Sequence, residues 1–220
     1  MYKRQVHVGT EAALTAGQPL VNVNEDAPLR PDSPFLYSAS KARAEQRVRA
    51  ANGDGLETVV IRPRFVWGPG DATVLPTLAG MVREGRFRWV GGGRQLTDTT
   101  HIDNTVEGLS LGATRAPAGG VYFVTDGEPV VFKELVTRML ATQGLTPEDK
   151  SVPAGLAAAG ASAIERVWRL TRRPGPPPLT RFAVWVSSQE CTLDDSRART
   201  ELGYSPVVTR EQGLSGLAPA

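Results

Sequence analysis

A tyrosine and a lysine four positions apart, Tyr37 and Lys41, are the residues of this chain best suited to moving a proton. Positions i and i+4 share one face of a helix, so we expect the lysine ammonium close to the tyrosine oxygen. A positive charge there stabilises the phenolate and lowers the pKa of the tyrosine from its ordinary value of about 10. The pair therefore predicts an acid/base group that works near neutral pH, although a core tyrosine beside a covering lysine gives the same spacing.

The elements predicted around this pair form a crossover unit. Ser33 is expected to cap a helix that begins at Pro34, and the turn Asn52-Gly53-Asp54-Gly55 is expected to end it. Apolar runs predict a short strand over residues 6–10 and a buried parallel strand over residues 56–63. Strand, helix and strand in this order are typical of a right-handed parallel crossover.

Four further runs resemble the extended short-chain dehydrogenases/reductases, which belong to the NAD-dependent epimerase/dehydratase superfamily. The run Ile61-Arg62-Pro63-Arg64-Phe65-Val66-Trp67-Gly68-Pro69-Gly70-Asp71 is similar to the segment RPxxVYGPGD that follows the YxxxK helix in that family, with Trp67 in place of tyrosine. Residues 98–104 are similar to its DFVHVDD segment, residues 121–127 to its YNVTDG strand, and residues 199–204 to its closing LGY turn. The resemblance covers nearly the whole chain.

This resemblance implies roles for individual residues. Tyr37 would be the acid/base of a hydride-transfer reaction, Lys41 would lower its pKa and bind the nicotinamide ribose, and Thr10 would orient the reacting oxygen. Pro63 and Val66 stand where the family places its turn against the nicotinamide. The structural alternatives are a capping role for Thr10 and an ordinary Pro/Gly turn after the strand.

The cofactor is expected to be NAD or NADP, but its pyrophosphate loop is not found in this sequence. Gly91-Gly92-Gly93 lacks the G-x-G-x-x-G spacing and is expected to form a turn. In the family that loop lies well upstream of the tyrosine, whereas 36 residues precede Tyr37 here. The resemblance therefore implies a fragment that lacks the N-terminal strands and is inactive by itself.

The predicted substrate is an apolar small molecule. Thr97 stands where nucleotide-sugar epimerases of this family carry a phosphate-binding arginine, although Arg94 or Arg64 could replace it. An Ala-rich, apolar segment over residues 153–170 predicts a helical wall. These features are most similar to the 3β-hydroxysteroid dehydrogenase branch, which implies interconversion of a sterol-like secondary alcohol and its ketone.

Two alternatives stay open. A nucleotide-sugar epimerase or dehydratase of the same superfamily is the first, and Glu11 beside Thr10 is the acidic residue that a dehydratase needs. If the strand continues, Glu11 points to the opposite face, which counts against this alternative. The second is a catalytically inactive nucleotide-sensing protein of the same fold.

The expected fold class is α/β, a Rossmann-like doubly wound parallel sheet that lacks its N-terminal strands, with a smaller α/β substrate-binding lobe. Residues 1–66, with part of 98–126, are assigned to the nucleotide-binding domain, and residues 67–220 mainly to the lobe. An unpaired first strand predicts a tendency to aggregate. By analogy with the family, a homodimer through the tyrosine-bearing helix is expected for the full-length protein.

Composition limits the partners. The net charge of +2 implies no nucleic-acid partner. The single cysteine, Cys191, excludes an internal disulfide and predicts a cytoplasmic protein in which it lies buried in a strand. His7 and His101 lack a metal-binding motif, so no metal site is expected, and the apolar run 154–164 is too short to span a bilayer.

Overall fold

The computed structural model describes residues 3–172, 174–175 and 177–217. The strands in this part of the chain are β1 (Lys3–Val8), β2 (Leu20–Val23), β3 (Leu56–Pro63), β4 (Val66–Trp67), β5 (Trp89–Val90), β6 (Leu96–Thr97), β7 (Thr100–His101), β8 (Val121–Val124), β9 (Val130–Val131), β10 (Ser151–Val152) and β11 (Cys191–Leu193). The α-helices are α1 (Leu36–Ala50), α2 (Val74–Arg83), α3 (Ile102–Thr114), α4 (Phe132–Ala141), α5 (Ala154–Thr171), α6 (Arg181–Ser188) and α7 (Arg210–Ser215). Shorter 3₁₀ and π turns cover Glu11–Leu14, Gly91–Gly93 and Ala198–Leu202.

The central sheet has the order β1-β3-β8 among the described strands, and all its pairs are parallel. Successive side chains of β3 point to opposite faces. On one face, Val59 and Ile61 pack with Leu111 of α3, and on the other Arg62 pairs with Glu45 of α1. Helices therefore cover both faces, and the predicted doubly wound α/β class is confirmed.

The first strand lies at the edge of this sheet. Within the described residues β1 pairs with β3 and with no other strand. A second sheet has the order β2-β11-β6-β9, in which β9 is antiparallel. Since β2 lies within residues 1–66 but joins this second sheet, the chain crosses between the two sheets early. The division into two domains stays a prediction.

The start of the tyrosine-bearing helix differs from the prediction. The helix α1 begins at Leu36, not at Pro34, because Phe35 is extended, with φ −89° and ψ 114°. Ser33 does not cap the helix, since its Oγ accepts a hydrogen bond from the backbone N of Phe35 at 3.3 Å within a turn. The predicted end is confirmed: Ala50 is the last helical residue, and Gly53 and Gly55 follow with positive φ.

A buried ion pair fixes α1 to the sheet. Arg62 and Glu45 are 0% and 1% exposed, and Arg62 Nε lies 3.0 Å from Glu45 Oε2 while Nη2 bonds the other carboxylate oxygen. Gly9, just after β1, leaves room for this pair, since a Cβ there would lie 3.1 Å from Arg62 Cγ and 3.4 Å from Glu45 Oε2. Because removing one partner of such a pair leaves an uncompensated buried charge, the position of α1 on β3 is strongly specified.

The predicted helical wall and glycine turn are both confirmed. α5 covers nearly the predicted segment and packs Ala157 and Ala161 against Val184 of α6. Gly91–Gly93 forms a tight turn in which all three φ angles are positive. Because only glycine adopts several consecutive positive φ angles without strain, the turn explains why glycine occupies these three positions.

Candidate active site

The predicted site residues meet at the carboxyl edge of the parallel sheet, where ligands bind in open α/β folds. Thr10 follows β1, Pro63 is the buried last residue of β3, and Tyr37 lies in the first turn of α1. Thr10 lies close enough to Tyr37 for its hydroxyl group to influence the pKa of the phenol. Tyr37 is 45% exposed and Val66 is 37% exposed, so both side chains are accessible.

Glu11 lies on the Thr10 side of the site, and its expected position on the opposite face is wrong. The chain leaves the strand at Val8 and turns into a 3₁₀ helix at Glu11, so the alternation of a strand no longer applies. The Thr10 hydroxyl donates a 2.8 Å hydrogen bond to Glu11 Oε2. Glu11 is 2% exposed.

Arg64 holds the other oxygen of this carboxylate. Arg64 Nη1 lies 2.8 Å from Glu11 Oε1, and its Nη2 donates a 3.3 Å hydrogen bond to Thr97 Oγ1. Arg64 is 2% exposed, and its guanidinium lies 5.6 Å from the ring centre of Trp185. The suggestion that Arg64 replaces a phosphate-binding arginine is therefore wrong, because its charge is committed to Glu11 inside the protein.

The electrostatic environment of Tyr37 also differs from the expectation. Burial raises the pKa of Tyr37, the negative charge of Glu11 raises it further, and the hydroxyl group of Thr10 acts in the opposite direction. Lys41 Nζ lies 6.0 Å from the centre of the Tyr37 ring, so the ammonium faces the ring rather than closely pairing with the oxygen. In this structure the charge that raises the pKa of the phenol is the carboxylate of Glu11.

Lys41 is near both Tyr37 and His7. Its positive charge, together with burial, lowers the pKa of His7. Lys41 forms no ion pair with any residue in the described part of the chain. Its ammonium is thus free to bind a ligand at the carboxyl edge of the sheet.

An open pocket of about 530 Å³ lies beside Tyr37. Its wall is formed by aromatic residues and the stems of charged ones, among them Phe35, Tyr37, Trp168, Arg172 and Phe182. The Tyr37 and Phe182 rings are 4.9 Å apart between centres. α5 and α6 therefore present a largely apolar surface next to the phenol.

An ion pair holds this wall in place. Arg181 Nε of α6 lies 2.9 Å from Glu165 Oε2 of α5, and Arg181 Nη2 donates a 2.8 Å hydrogen bond to the Pro34 carbonyl oxygen just before α1. One arginine thus connects both helices of the wall to the segment that carries Tyr37. This contact attaches the helices of the pocket wall to the segment that carries Tyr37.

Trp67, the unusual residue of the Pro/Gly turn, is held by a half-buried carboxyl group. Trp67 Nε1 donates a 2.7 Å hydrogen bond to Asp126 Oδ2, which also accepts from Thr99 Oγ1 at 2.7 Å. The other Asp126 oxygen accepts from the His101 backbone N at 2.6 Å and from Asn104 Nδ2 at 2.7 Å. The turn after β3 is thereby attached to the strand-end Asp126 of the YNVTDG-like run.

Sequence reasoning missed the part played by Glu11 and Arg64. A signal was present, because Arg64 follows a run of buried strand residues and a buried arginine requires an acidic partner. Cys191 lies buried in β11, as predicted. Among the described residues there is no cluster of metal-binding side chains, and none of their helices is long and apolar enough to cross a membrane.

Comparison with known proteins identifies relatives that are named as reductases. The chain is 48% identical to the 4-hydroxy-2-methyl-3-oxo-4-farnesyl-3,4-dihydroquinoline-1-oxide ketoreductase of Stigmatella aurantiaca, over 99% of this chain and 65% of the relative. It is 43% identical to the 2-alkyl-3-oxoalkanoate reductase of Stenotrophomonas maltophilia, over 88% of this chain and 60% of the relative. The chain thus spans about three fifths of the length of these curated relatives.

Solved structures give the same fold. A UDP-glucuronic acid 4-epimerase from Bacillus cereus in complex with NAD superimposes with a TM-score of 0.68 at 19% identity, over 97% of this chain and 59% of that one. The family model for the 3-beta hydroxysteroid dehydrogenase/isomerase family matches residues 6–154, which is more than half of the chain. This stretch contains Thr10, Tyr37, Lys41, Pro63 and Val66. The chain therefore belongs to the 3-beta hydroxysteroid dehydrogenase/isomerase family.

Proposed function

We propose that this chain carries the acid/base and substrate-binding part of an NAD(P)-dependent oxidoreductase that interconverts an apolar ketone and its secondary alcohol. The observation that carries the proposal is the position of Tyr37. Its phenol lies beside Thr10 at the carboxyl edge of the sheet and at the same time lines the apolar pocket. A ketone in that pocket would place its oxygen within reach of a proton donor and its apolar part against Phe182 and Trp168.

The residues present fit the nicotinamide half of the cofactor. The free ammonium of Lys41 can donate hydrogen bonds to ribose hydroxyl groups, and Val66 offers an exposed apolar contact beside the buried Pro63. When bound, the reduced nicotinamide supplies the hydride. The described residues contain no loop with the spacing that binds a pyrophosphate, so the proposed contribution of this chain is limited to the nicotinamide and ribose.

In this proposal each residue has a defined task. Tyr37 gives its hydroxyl proton to the carbonyl oxygen during reduction and takes a proton from the alcohol during oxidation. The pocket contacts the apolar part of the substrate, and the Arg181–Glu165 pair holds the two helices of its wall, α5 and α6, together. The names of the relatives support ketones with an apolar substituent, such as a 2-alkyl-3-oxoalkanoate or a 3-oxo compound that carries a farnesyl group.

The proposal is tested by replacing Tyr37 in the intact protein. We expect Tyr37→Phe to lower kcat for ketone reduction by about 10²-fold or more, because a positioned acid contributes about 10²–10⁴-fold. NADH or NADPH binding, followed by fluorescence titration, should stay close to that of the wild type. A matched control is Tyr122→Phe, which removes a hydroxyl bonded to Glu201 and should leave kcat unchanged.

The outcome separates the candidate functions. Unchanged turnover in Tyr37→Phe would remove the proposed acid/base residue. Tight binding of NADH or NADPH with no turnover of any ketone or alcohol would support a nucleotide-sensing protein instead.

A second candidate, a nucleotide-sugar dehydratase, is favoured by one observation. Glu11 does touch Thr10, as an acidic residue that removes water must. Its charge is neutralised by Arg64, however, and Arg64 is thereby not available as the phosphate ligand expected near Thr97. Incubation with NAD and a nucleotide hexose distinguishes the two, because a dehydratase forms a 4-keto-6-deoxy sugar whereas an apolar-ketone reductase forms none.

The assembly and location are further parts of this proposal. A homodimer through α1 is supported by family analogy, and light scattering of the intact protein tests it. A cytoplasmic location is supported by the single, buried thiol of Cys191, and fractionation of cells that express the intact protein tests it.

A further inference from the structure

The ring of Phe182 packs directly against the proposed proton donor. Its centre lies 4.9 Å from the centre of the Tyr37 ring, and the two ring planes are inclined by 43°. Aromatic rings whose centres lie about 4.5–7 Å apart are in contact, so no part of a ligand fits between these two. Both side chains line the pocket of about 530 Å³. A ligand that reaches the Tyr37 hydroxyl from this pocket therefore passes along Phe182.

Two further rings hold Phe182 in this position. Phe35 meets it edge-on at 6.0 Å between centres, and Trp185 stacks on it at 5.9 Å with an inclination of 20°. Trp185 is 3% exposed, and its Nε1 donates a 2.9 Å hydrogen bond to the Gln18 carbonyl oxygen. Positions 182 and 185 share one face of α6, so this stack follows from the helix itself. A rotation of Phe182 away from the pocket would lose contacts with three rings at once.

Hydrogen bonds at the start of α6 fix the backbone that carries Phe182. Thr180 Oγ1 caps the helix by accepting a 3.0 Å hydrogen bond from a backbone N of the first turn. The Arg181 backbone N donates a 2.8 Å hydrogen bond to Glu165 Oε1 of α5, in addition to the contacts that its side chain makes with Glu165 and with the Pro34 carbonyl oxygen. The backbone just before Phe182 is therefore attached both to α5 and to the segment that precedes α1.

We propose that Phe182 is a specificity-determining residue, which limits the size of the substrate group bonded to the carbonyl carbon on the pocket side. This inference rests on the proposed function, in which the carbonyl oxygen of the substrate lies at the Tyr37 hydroxyl. A C=O bond is about 1.23 Å long, so the carbonyl carbon and the first atom of that group lie close to the phenol. Phe182 stands at that place, whereas Leu36, which is 78% exposed, belongs to the outer rim of the pocket.

The class of ligand follows from this arrangement. An unbranched apolar chain is narrow at the atom next to the carbonyl and can follow the edge of the Phe182 ring, whereas a bulky branch at that atom overlaps with the ring. Because neighbouring rings hold Phe182 on several sides, the overlap is not relieved by a rotation of its side chain. The pocket therefore prefers ketones with a slender first substituent and a longer apolar part further out, where Trp168 continues the wall.

The experiment compares two ketones that differ only in the branch next to the carbonyl. Reduction of ethyl 2-methyl-3-oxobutanoate and of ethyl 2-benzyl-3-oxobutanoate by NADH or NADPH is measured with the intact protein and with its Phe182→Ala form. Removing the ring leaves space for the benzyl group, so we expect the ratio of kcat/KM for the benzyl ketone to that for the methyl ketone to rise by about 10-fold or more. The ratio is the readout because an effect of the variant on Tyr37 itself alters both reactions alike.

A milder pair of variants supplies the control. Phe87 also packs on an aromatic ring, 4.7 Å from Trp89 between centres, but it lies in a different apolar cluster, with residues of α2 and α4. Phe182→Leu should raise the ratio by a smaller factor than Phe182→Ala, and Phe87→Leu should leave it at the wild-type value. If Phe182→Ala does not fold, the comparison of the two leucine variants decides.

Binding of the same two ketones, followed by the change in tryptophan fluorescence, separates this inference from the proposed function. If the ketones are bound but not reduced, the proposed function fails, and a higher ratio of benzyl to methyl affinity in Phe182→Ala still supports the role of Phe182. An unchanged ratio in a folded Phe182 variant, or an equal rise in Phe87→Leu, overturns the inference alone. If no form of the protein binds or reduces either ketone, the pocket is not a ketone site and both proposals are wrong.

Discussion

At the scale of single residues, this site depends on polar side chains that are buried in connected sets. Thr10, beside Tyr37, is hydrogen-bonded to Glu11, and Trp67 is hydrogen-bonded to Asp126. In each set a carboxyl group accepts several hydrogen bonds, which offsets the cost of removing it from water. Residues that the sequence analysis considered one by one are therefore linked by hydrogen bonds in the structure.

The hydrogen bond of Trp67 can be measured against a matched tryptophan. Trp67→Phe should lower the free energy of unfolding by about 1–3 kcal/mol more than Trp89→Phe, since a buried bond to a carboxyl group is lost in the first case. Both tryptophans are 1% exposed, but Trp89 Nε1 is buried with no hydrogen-bond partner among the described residues. Urea unfolding of both variants gives the comparison, and equal losses would show that the Trp67 bond contributes nothing.

At the scale of elements, close helix–sheet contact positions the site. α1 is held on β3 by the Arg62–Glu45 pair, and α3 packs on the other face of the same strand. The approach of α3 to the sheet is made possible by Gly108, where a Cβ would lie 2.7 Å from Val124 Cγ1 of β8. Gly108 therefore allows the close spacing between α3 and β8, the strand that ends near Asp126.

Two glycine substitutions should have opposite effects. Gly108→Ala should lower the free energy of unfolding by about 1–3 kcal/mol, because the added methyl forces the helix from the strand. Gly80→Ala, in α2, meets no atom within 4 Å and should raise stability by about 0.5–1 kcal/mol through helix propensity. Denaturant midpoints of both variants check this, and a stabilising Gly108→Ala would contradict the close contact.

At the scale of the whole molecule, the second sheet contains a buried acid that links folding to pH. Asp98 is 1% exposed, and its Oδ2 accepts a 2.7 Å hydrogen bond from the Leu193 backbone N of β11. Burial raises its pKa to about 7. The protonated acid is thus the form that the folded protein prefers over much of the acidic range.

The contribution of Asp98 to stability should fall as pH rises. Because its pKa is higher in the folded than in the unfolded chain, this contribution is fully present below about pH 4 and is lost as pH rises through about 7. Asp98→Asn should remove a slope of up to about 1.4 kcal/mol per pH unit between those limits. Urea unfolding from pH 4 to 8 measures it, and parallel curves for the variant and the wild type would contradict the shifted pKa.

Much of the fold could be predicted from the sequence because its signals are local. The apolar run over residues 56–63 gave β3, the Ala-rich run gave α5, and the glycines after Ala51 gave the end of α1. The positions of Thr10, Tyr37 and Pro63 at one edge follow from the crossover order of strand, helix and strand. Their chemical roles remain predictions, to be decided by the variants described above.

The sequence by itself determined the family, the α/β class and the candidate residues, because motif spacing and hydrophobic periodicity are properties of neighbouring residues. Only the tertiary structure decided that Glu11 faces Thr10, that Arg64 is committed to Glu11 rather than to a phosphate, and that the pKa of Tyr37 is raised. The physical reason is that these outcomes depend on charges brought together from positions far apart in the chain. Such charges interact strongly once the fold has removed the water between them.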